Sequence, residues 1–294
     1  MPSSSSPGVS AGSDGRRGRV RDRATSAAIL VPVLLLVLAI GGMILAAAVA
    51  IVTVFAAREA FRLLADATFP TLPLLGTLLA LTVVLDATFP GVLEGSGLLL
   101  MAVGIVLIAV AAFARQNPRE GIAMWMATVF GALYVGLLAF VIRLGHAAPT
   151  VPDGAPLEVL GAERGWILVL LLAVWSYDTG AFFAGRQFGR RRFLTHISPS
   201  KTYAGLVGGV VAATILVGIL VWGLGQSPLH ALLLGPLVAL AAQAGDLAES
   251  MLKRAAGAKD SGTLIPGHGG MLDRVDSFLF AAPVMTLYVV ALIA

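Results

Sequence analysis

The chain of 294 residues has no cysteine, only three lysines, and charged residues at just 12% of its length. The lack of cysteine excludes disulfides, thiolate nucleophiles and cysteine-ligated zinc. Any metal must then be held by oxygen, helped by at most four histidines, which makes a hard cation such as Mg²⁺ the default. The scarcity of charge is matched by 58% hydrophobic residues and a mean hydropathy of +0.92. A soluble domain of this size could not bury so much apolar surface, so the composition specifies a polytopic membrane protein. No G-x-x-x-x-G-K-S/T run is present, and SPSKT at Ser198 to Thr202 has the tail of a P-loop without its glycines. No H-E-x-x-H occurs either, which excludes a helical zinc protease site.

What is present is long apolar sequence. A span takes about 20 apolar residues at a rise of about 1.5 Å each. Nine segments qualify, near 26–41, 43–57, 71–89, 97–114, 121–142, 165–184, 203–223, 229–249 and 276–293. The first two are separated only by Gly41 and Gly42, so one long helix is the competing reading. The basic residues decide between them. With nine spans and a cytoplasmic N-terminus, 18 of the 20 Lys and Arg residues fall inside, leaving Arg143 and Arg164 outside, as the positive-inside bias requires. The expectation is an all-α polytopic membrane helix bundle of about nine transmembrane helices. Its N-terminus is cytoplasmic, its C-terminus outside and its polar site faces the cytoplasm. Residues 1–25, rich in Ser, Gly, Pro and then Arg, read as a disordered cytoplasmic tail. Residues 26–164 read as N-terminal transmembrane helices with their loops, and 165–294 as the C-terminal catalytic transmembrane region. The DATFP echo at Asp66 to Pro70 and Asp86 to Pro90 reads as two helix-end turns rather than a repeat.

The remaining polar residues gather in three stretches: Trp175 to Gly205, Gln243 to Arg254, and KDSGTLIPGHGGMLDRVDS from Lys259 to Ser277. On a helix Asp246, Glu249, Ser250 and Lys253 share one face, and Asp273 and Asp276 lie one turn apart. A lone carboxylate near mid-membrane costs roughly 2.5 to 3.5 kcal/mol, so several together need water, a metal or one another. Glu249 reads as half of an exposed ion pair with Lys253 on the rim. Gly257, Gly262, Gly267, Gly269 and Gly270 would free backbone N–H groups to approach a ligand, with Lys259, Arg254 and Arg274 supplying positive charge. Such a loop suits phosphates. His268 is open as a ligand, a phosphate donor or a loop residue. His146, His196 and His230 show no partner pattern.

The run SMLKRAAGAKDSGTLIPGHGGMLDRVDS, Ser250 to Ser277, resembles the signature of the phosphatidate cytidylyltransferase (CDP-diacylglycerol synthase) family. Ser250, Lys253, Arg254, Lys259, Asp260, Pro266, His268, Gly269, Gly270, Asp273, Arg274 and Asp276 stand at its motif positions. The likeness continues upstream through DTGAFFAGRQFGRRR and ISPSKTYAG, whereas the first 165 residues match only as membrane spans. The resemblance implies that CTP and phosphatidate give CDP-diacylglycerol and pyrophosphate, for membrane phospholipid synthesis. It implies a multi-pass protein of the bacterial inner membrane. It points to Asp246 and Asp273 as principal ligands of Mg²⁺, Asp276 as a third ligand or its support, and a second cation as an open alternative. Lys253, Arg254, Lys259 and Arg274 would bind phosphates, with Lys201 and Ser250 in positioning roles and Asp178 and Asp260 of lesser rank. No nucleic-acid partner is expected, and a homodimer is left open. A transporter would explain the acidic residues but not the glycine loop with its basic flanks, and a CTP-dependent lipid kinase would move the terminal phosphate instead.

Overall fold

The computed structural model describes residues 28–91, 96–264 and 269–293; the predicted tail at 1–25 and His268 lie outside the described residues. Among those described there is no β-strand, and the regular elements are helices. In chain order they are α1 (Ala28–Ile40), α2 (Gly42–Asp66), α3 (Pro73–Thr88), α4 (Ser96–Ala112), α5 (Pro118–Gly136), α6 (Ala139–Ala147), α7 (Gly161–Phe188), α8 (Tyr203–Gly223), α9 (Ala231–Ala255) and α10 (Leu272–Leu292).

Each predicted apolar segment falls on a helix, but length and apolarity qualify fewer of them as spans. Among the described residues α2, α7, α8, α9 and α10 are long and apolar enough to cross a membrane, five in all. The pair α5 and α6, bent by 40°, makes six if taken as one span. The predicted segment 121–142 is therefore two helices, divided just after Gly136, a residue type common at kinks. Helices α1, α3 and α4 are apolar but shorter.

Gly41 and Gly42 do interrupt the first apolar run. Their φ angles of +67° and +51° lie in the left-handed region that only glycine enters freely, which rules out one continuous helix there. The ends exposed by the break are satisfied from α7: the Gly42 N–H donates to Glu163 Oε1 (3.1 Å), and Arg164 donates to the Ile40 carbonyl (3.3 Å). The two DATFP stretches do sit at helix ends, where α2 stops at Asp66 and α3 at Thr88. In the second, Asp86 forms an ion pair with Arg143 of α6.

Two apolar clusters organise the bundle. One joins α6 to α10 through Leu144, Trp166, Tyr177, Val217, Leu234 and Met285. The other joins α2 to α5 through Phe61, Leu79, Ile108 and Val135 and takes in Leu272 and Leu279 of α10. Helix α10 thus belongs to both. Small residues line the contact of α7 with the start of α8: a Cβ at Gly208 would fall 2.2 Å from that of Ala184 on α7, and one at Gly180 2.6 Å from that of Ala212 on α8. Small residues on both helices let the backbones meet, the usual way to pack helices in lipid. The opposite stripe of α8, Val207, Val211, Ile215, Ile219 and Trp222, is exposed.

Candidate active site

The site is built at the junction of α9 and α10. Helix α9 runs on to Ala255, so Asp246, Glu249, Ser250 and Lys253 stand on one continuous helix, as the spacing requires. After the loop, α10 begins at Leu272, four residues before the predicted segment, and carries Asp273 and Asp276 in its first two turns. Lys253 is the junction itself. Its ammonium pairs with Glu249 one turn back on α9 and lies 2.7 Å from Asp273 Oδ1 on α10.

Glu249 is not on the rim. Its side chain is fully buried, with Lys253 as its counterion and no hydrogen-bond partner for Oε1. The exposed pair expected from the sequence is a buried one, because the α9 face that carries Glu249 turns inward between the two apolar clusters.

Asp273 is held on both oxygens. Oδ1 receives Lys253, while Oδ2 accepts from the backbone N–H of Ser261 (2.9 Å), the Ser261 hydroxyl (2.9 Å) and the Gly270 N–H (2.8 Å). Asp276 Oδ1 accepts from the Ser277 N–H at 2.6 Å. Asp246 pairs with Lys201, which the loop before α8 presents. That loop closes on itself, with Arg192 bridged to Thr202 and the Phe193 N–H donating to the Lys201 carbonyl at 3.2 Å. Asp178 on α7 lies within electrostatic reach of Lys201, Asp246 and Arg274, and Asp276 within reach of Asp246, Lys253 and Asp178.

The three aspartates assigned to a metal do not form a common cage. Among the described residues no three acidic or histidine side chains gather around one point as an ion's ligands would. Lysine ammoniums are paired with Asp246 and Asp273. The donor chemistry, all carboxylate oxygen, is the kind a hard divalent cation takes, although no three of these side chains converge. Asp178, Asp246, Glu249, Asp273 and Asp276 face Lys201, Lys253 and Arg274, which leaves a formal excess of two negative charges on an all-oxygen site.

Gly269 and Gly270 serve contacts within the protein. The Gly270 N–H is already given to Asp273, and a Cβ on Gly270 would lie 2.2 Å from both Glu59 Oε2 and Ser261 Oγ. Gly269 adopts φ +82°, and a Cβ there would come within 2.7 Å of Asp273 Oδ2. Both glycines make room for carboxylates of the protein itself, so the N–H of Gly270 is not free for a phosphate. Arg254 is likewise engaged: it donates to the carbonyls of Ile197 and Ala258, each at 3.3 Å, and ties the basic loop to the end of α9. Ser250 is buried; Lys259, Asp260 and Arg274 are exposed beside the junction.

Glu59 escaped the sequence reading. It stands on α2, over 200 residues from the loop it serves, and accepts from the N–H groups of Met271 (2.9 Å) and Leu272 (2.8 Å) and from the Ser261 hydroxyl (2.7 Å). The signal that could have exposed it is periodic. Ala56, Glu59 and Leu63 share the stripe that α2 turns to its core, where an acid needs a partner. A separate cavity of about 440 Å³, lined by Asp86, Arg143, His146 and Thr286 among others, lies toward the other end of α10 and takes no part in this site.

A profile of the cytidylyltransferase family matches residues 21–292 of the chain. The chain is 37% identical over 300 residues to a phosphatidate cytidylyltransferase of Synechocystis, covering 92% of this chain and 97% of that protein. It is 45% identical over 120 residues to a phosphatidate cytidylyltransferase of Bacillus subtilis, 40% of this chain and 45% of the relative. It is also 40% identical over 182 residues to the chloroplastic phosphatidate cytidylyltransferase 5 of Arabidopsis thaliana, 56% and 44% of the two chains.

Proposed function

The chain belongs to the cytidylyltransferase family, and from that premise we propose that it transfers CMP from CTP to phosphatidate, giving CDP-diacylglycerol and pyrophosphate. A phosphate oxygen of the lipid forms a bond to the α-phosphorus of CTP as the bond from that phosphorus to the β-phosphate oxygen breaks. The nucleophile is largely ionised at neutral pH and needs no general base. The difficulty is bringing two polyanions together, a task for preorganised cations.

The observation that supports this most is the sharing of Lys253 between Glu249 and Asp273. A fixed ammonium at a helix junction, with Lys201 held on Asp246 beside it, presets the positions of two lysines, whose carboxylate partners limit how far either side chain can wander. Lys253 and Lys201 bind phosphate oxygens, and the exposed Arg274 and Lys259 draw the nucleotide in from the aqueous side. Ser250 and Asp260 have supporting positions around them. Mg²⁺, when bound, would neutralise triphosphate charge, and Asp246, Asp273 and Asp276 would hold it, the first two once Lys201 and Lys253 turn from them to phosphate.

The same reading has nine spans, counting α1, α3 and α4, with the N-terminus and this site on the cytoplasmic side of a bacterial inner membrane. Substrate lipid enters from the inner leaflet, whose surface charge favours basic rims. The test uses purified protein with phosphatidate, Mg²⁺ and CTP labelled either in cytidine or at the terminal phosphate. Cytidine label in the lipid is the expected result. Terminal phosphate in the lipid would identify a kinase, and no label in lipid would overturn the reading.

A further inference from the structure

Glu59 lies in the stretch AAREAF near the end of α2, where Ala56, Ala57 and Ala60 are completely buried. Among the described residues it has no ion-pair partner, and its carboxylate is met by neutral donors alone. Those donors are not arbitrary. The first N–H groups of a helix lack partners within it, and in α10 the residue at the N-cap, Met271, has no side chain able to help. Glu59 supplies both oxygens instead, one to Met271 and one to Leu272, at the positive end of the helix dipole.

The contact passes beyond capping. Ser261 Oγ lies 2.7 Å from Glu59 Oε2 and 2.9 Å from Asp273 Oδ2, so its one proton is shared between the two carboxylates, and it accepts from the Asp273 N–H at 3.3 Å. Asp273 in turn holds Lys253. The loop is shaped to admit this arrangement. A Cβ at Gly262 would lie 2.6 Å from Glu59 Oε1, and the three atoms nearest to it all belong to Glu59.

We infer that Glu59 is a positioning residue for the transfer reaction: from the N-terminal helices it fixes the first turn of α10 and, through Ser261, sets the carboxylate of Asp273 and the Lys253 ammonium bonded to it. This rests on the reading that Asp273 and Lys253 serve cytidylyl transfer. The signature of residues 250–277 is therefore not a self-contained site; its frame is completed by α2.

The experiment compares full-length wild type with Glu59→Gln, Glu59→Ala, Gly262→Ala and the double variant Glu59→Ala/Gly262→Ala, each assayed per folded molecule. Glu59→Gln keeps the side-chain shape but turns one acceptor into an N–H₂ that opposes the donors around it. It should lower kcat by on the order of 10²-fold, with KM for CTP changed by about twofold or less. Hydrogen exchange at the Met271 and Leu272 amides should accelerate. Gly262→Ala should reproduce these effects by pushing Glu59 away. In the double variant the change at Gly262 should add no loss beyond that of Glu59→Ala, because the clash has gone. Unchanged kcat per folded molecule in Glu59→Gln and Gly262→Ala, even with a lowered Tm, would reduce Glu59 to a helix cap and overturn the proposal. Additive losses in the double variant would overturn it as well. A wild type that transfers no cytidine defeats the reaction and the positioning role together, whereas an active wild type with unaffected variants defeats the positioning role alone.

Discussion

The Lys253 ammonium lies 2.7 Å from Asp273 Oδ1 and joins the end of α9 to the first turn of α10. Its other partner, Glu249, is fully buried. Removing one member of a buried ion pair leaves a charge uncompensated, at a cost of about 3 to 5 kcal/mol. Lys253→Met should therefore lower the unfolding temperature in detergent as well as abolish turnover. Adding Glu249→Gln should restore part of the stability and none of the activity. Glu249→Gln alone should be costly too, since Lys253 would lose one of its two counterions. A loss under about 1 kcal/mol would mean that the pair behaves as an exposed one.

Asp246→Asn and Asp273→Asn should each abolish turnover in protein that still inserts and binds detergent normally, because neutral amides hold a hard divalent cation poorly. Chelation should silence the wild type, and added Mg²⁺ should restore it. Turnover that survives exhaustive chelation would remove the divalent cation from the mechanism.

Gly270→Ala should act on folding rather than on nucleotide binding, since the new methyl meets Glu59 and Ser261 at 2.2 Å. Gly269→Ala adds backbone strain at φ +82°, on the order of 1 to 2 kcal/mol. Thr263→Ala, on an exposed part of the same loop, should be silent. Thermal unfolding and CTP affinity measured together decide the matter: stable Gly270→Ala protein with weakened CTP binding would return the glycines to a phosphate cradle.

A periplasmic reporter fused after Ala294 should be active and one fused after Arg192 inactive. The opposite pattern would invert the bundle and place the Lys201, Lys253 and Asp273 site outside the cell.

The helices most legible in the sequence were those bounded by their own residues. Helix α8 spans Tyr203–Gly223, as its apolar run predicts, with Thr202 capping it through the Gly205 N–H. Helix α2 is longer than its apolar run because Arg58, Glu59 and Arg62 continue it to Asp66. Hydropathy stops at charge, but the helix does not when a distant loop satisfies that charge. Helix α10 starts early for the same reason, its first N–H groups being met by Glu59. The grouping of Asp246, Lys253 and Asp273 was readable from helical spacing and the signature. The burial of Glu249, the engagement of Arg254 and the purpose of Gly270 were not, because each depends on a partner from another part of the fold.

The meeting of α7 and α8 through Gly180, Ala184, Gly208 and Ala212 has a thermodynamic consequence. In lipid, separating these helices would replace close contact between small residues with contact to acyl chains, and no apolar surface would pass into water. Their attraction is then mainly dispersion. It lacks the large heat-capacity term that makes water-driven burial fade on cooling. This part of the bundle should hold together as the temperature falls, while the aqueous loop around Ser261 and Asp273 obeys the ordinary thermodynamics of a protein in water.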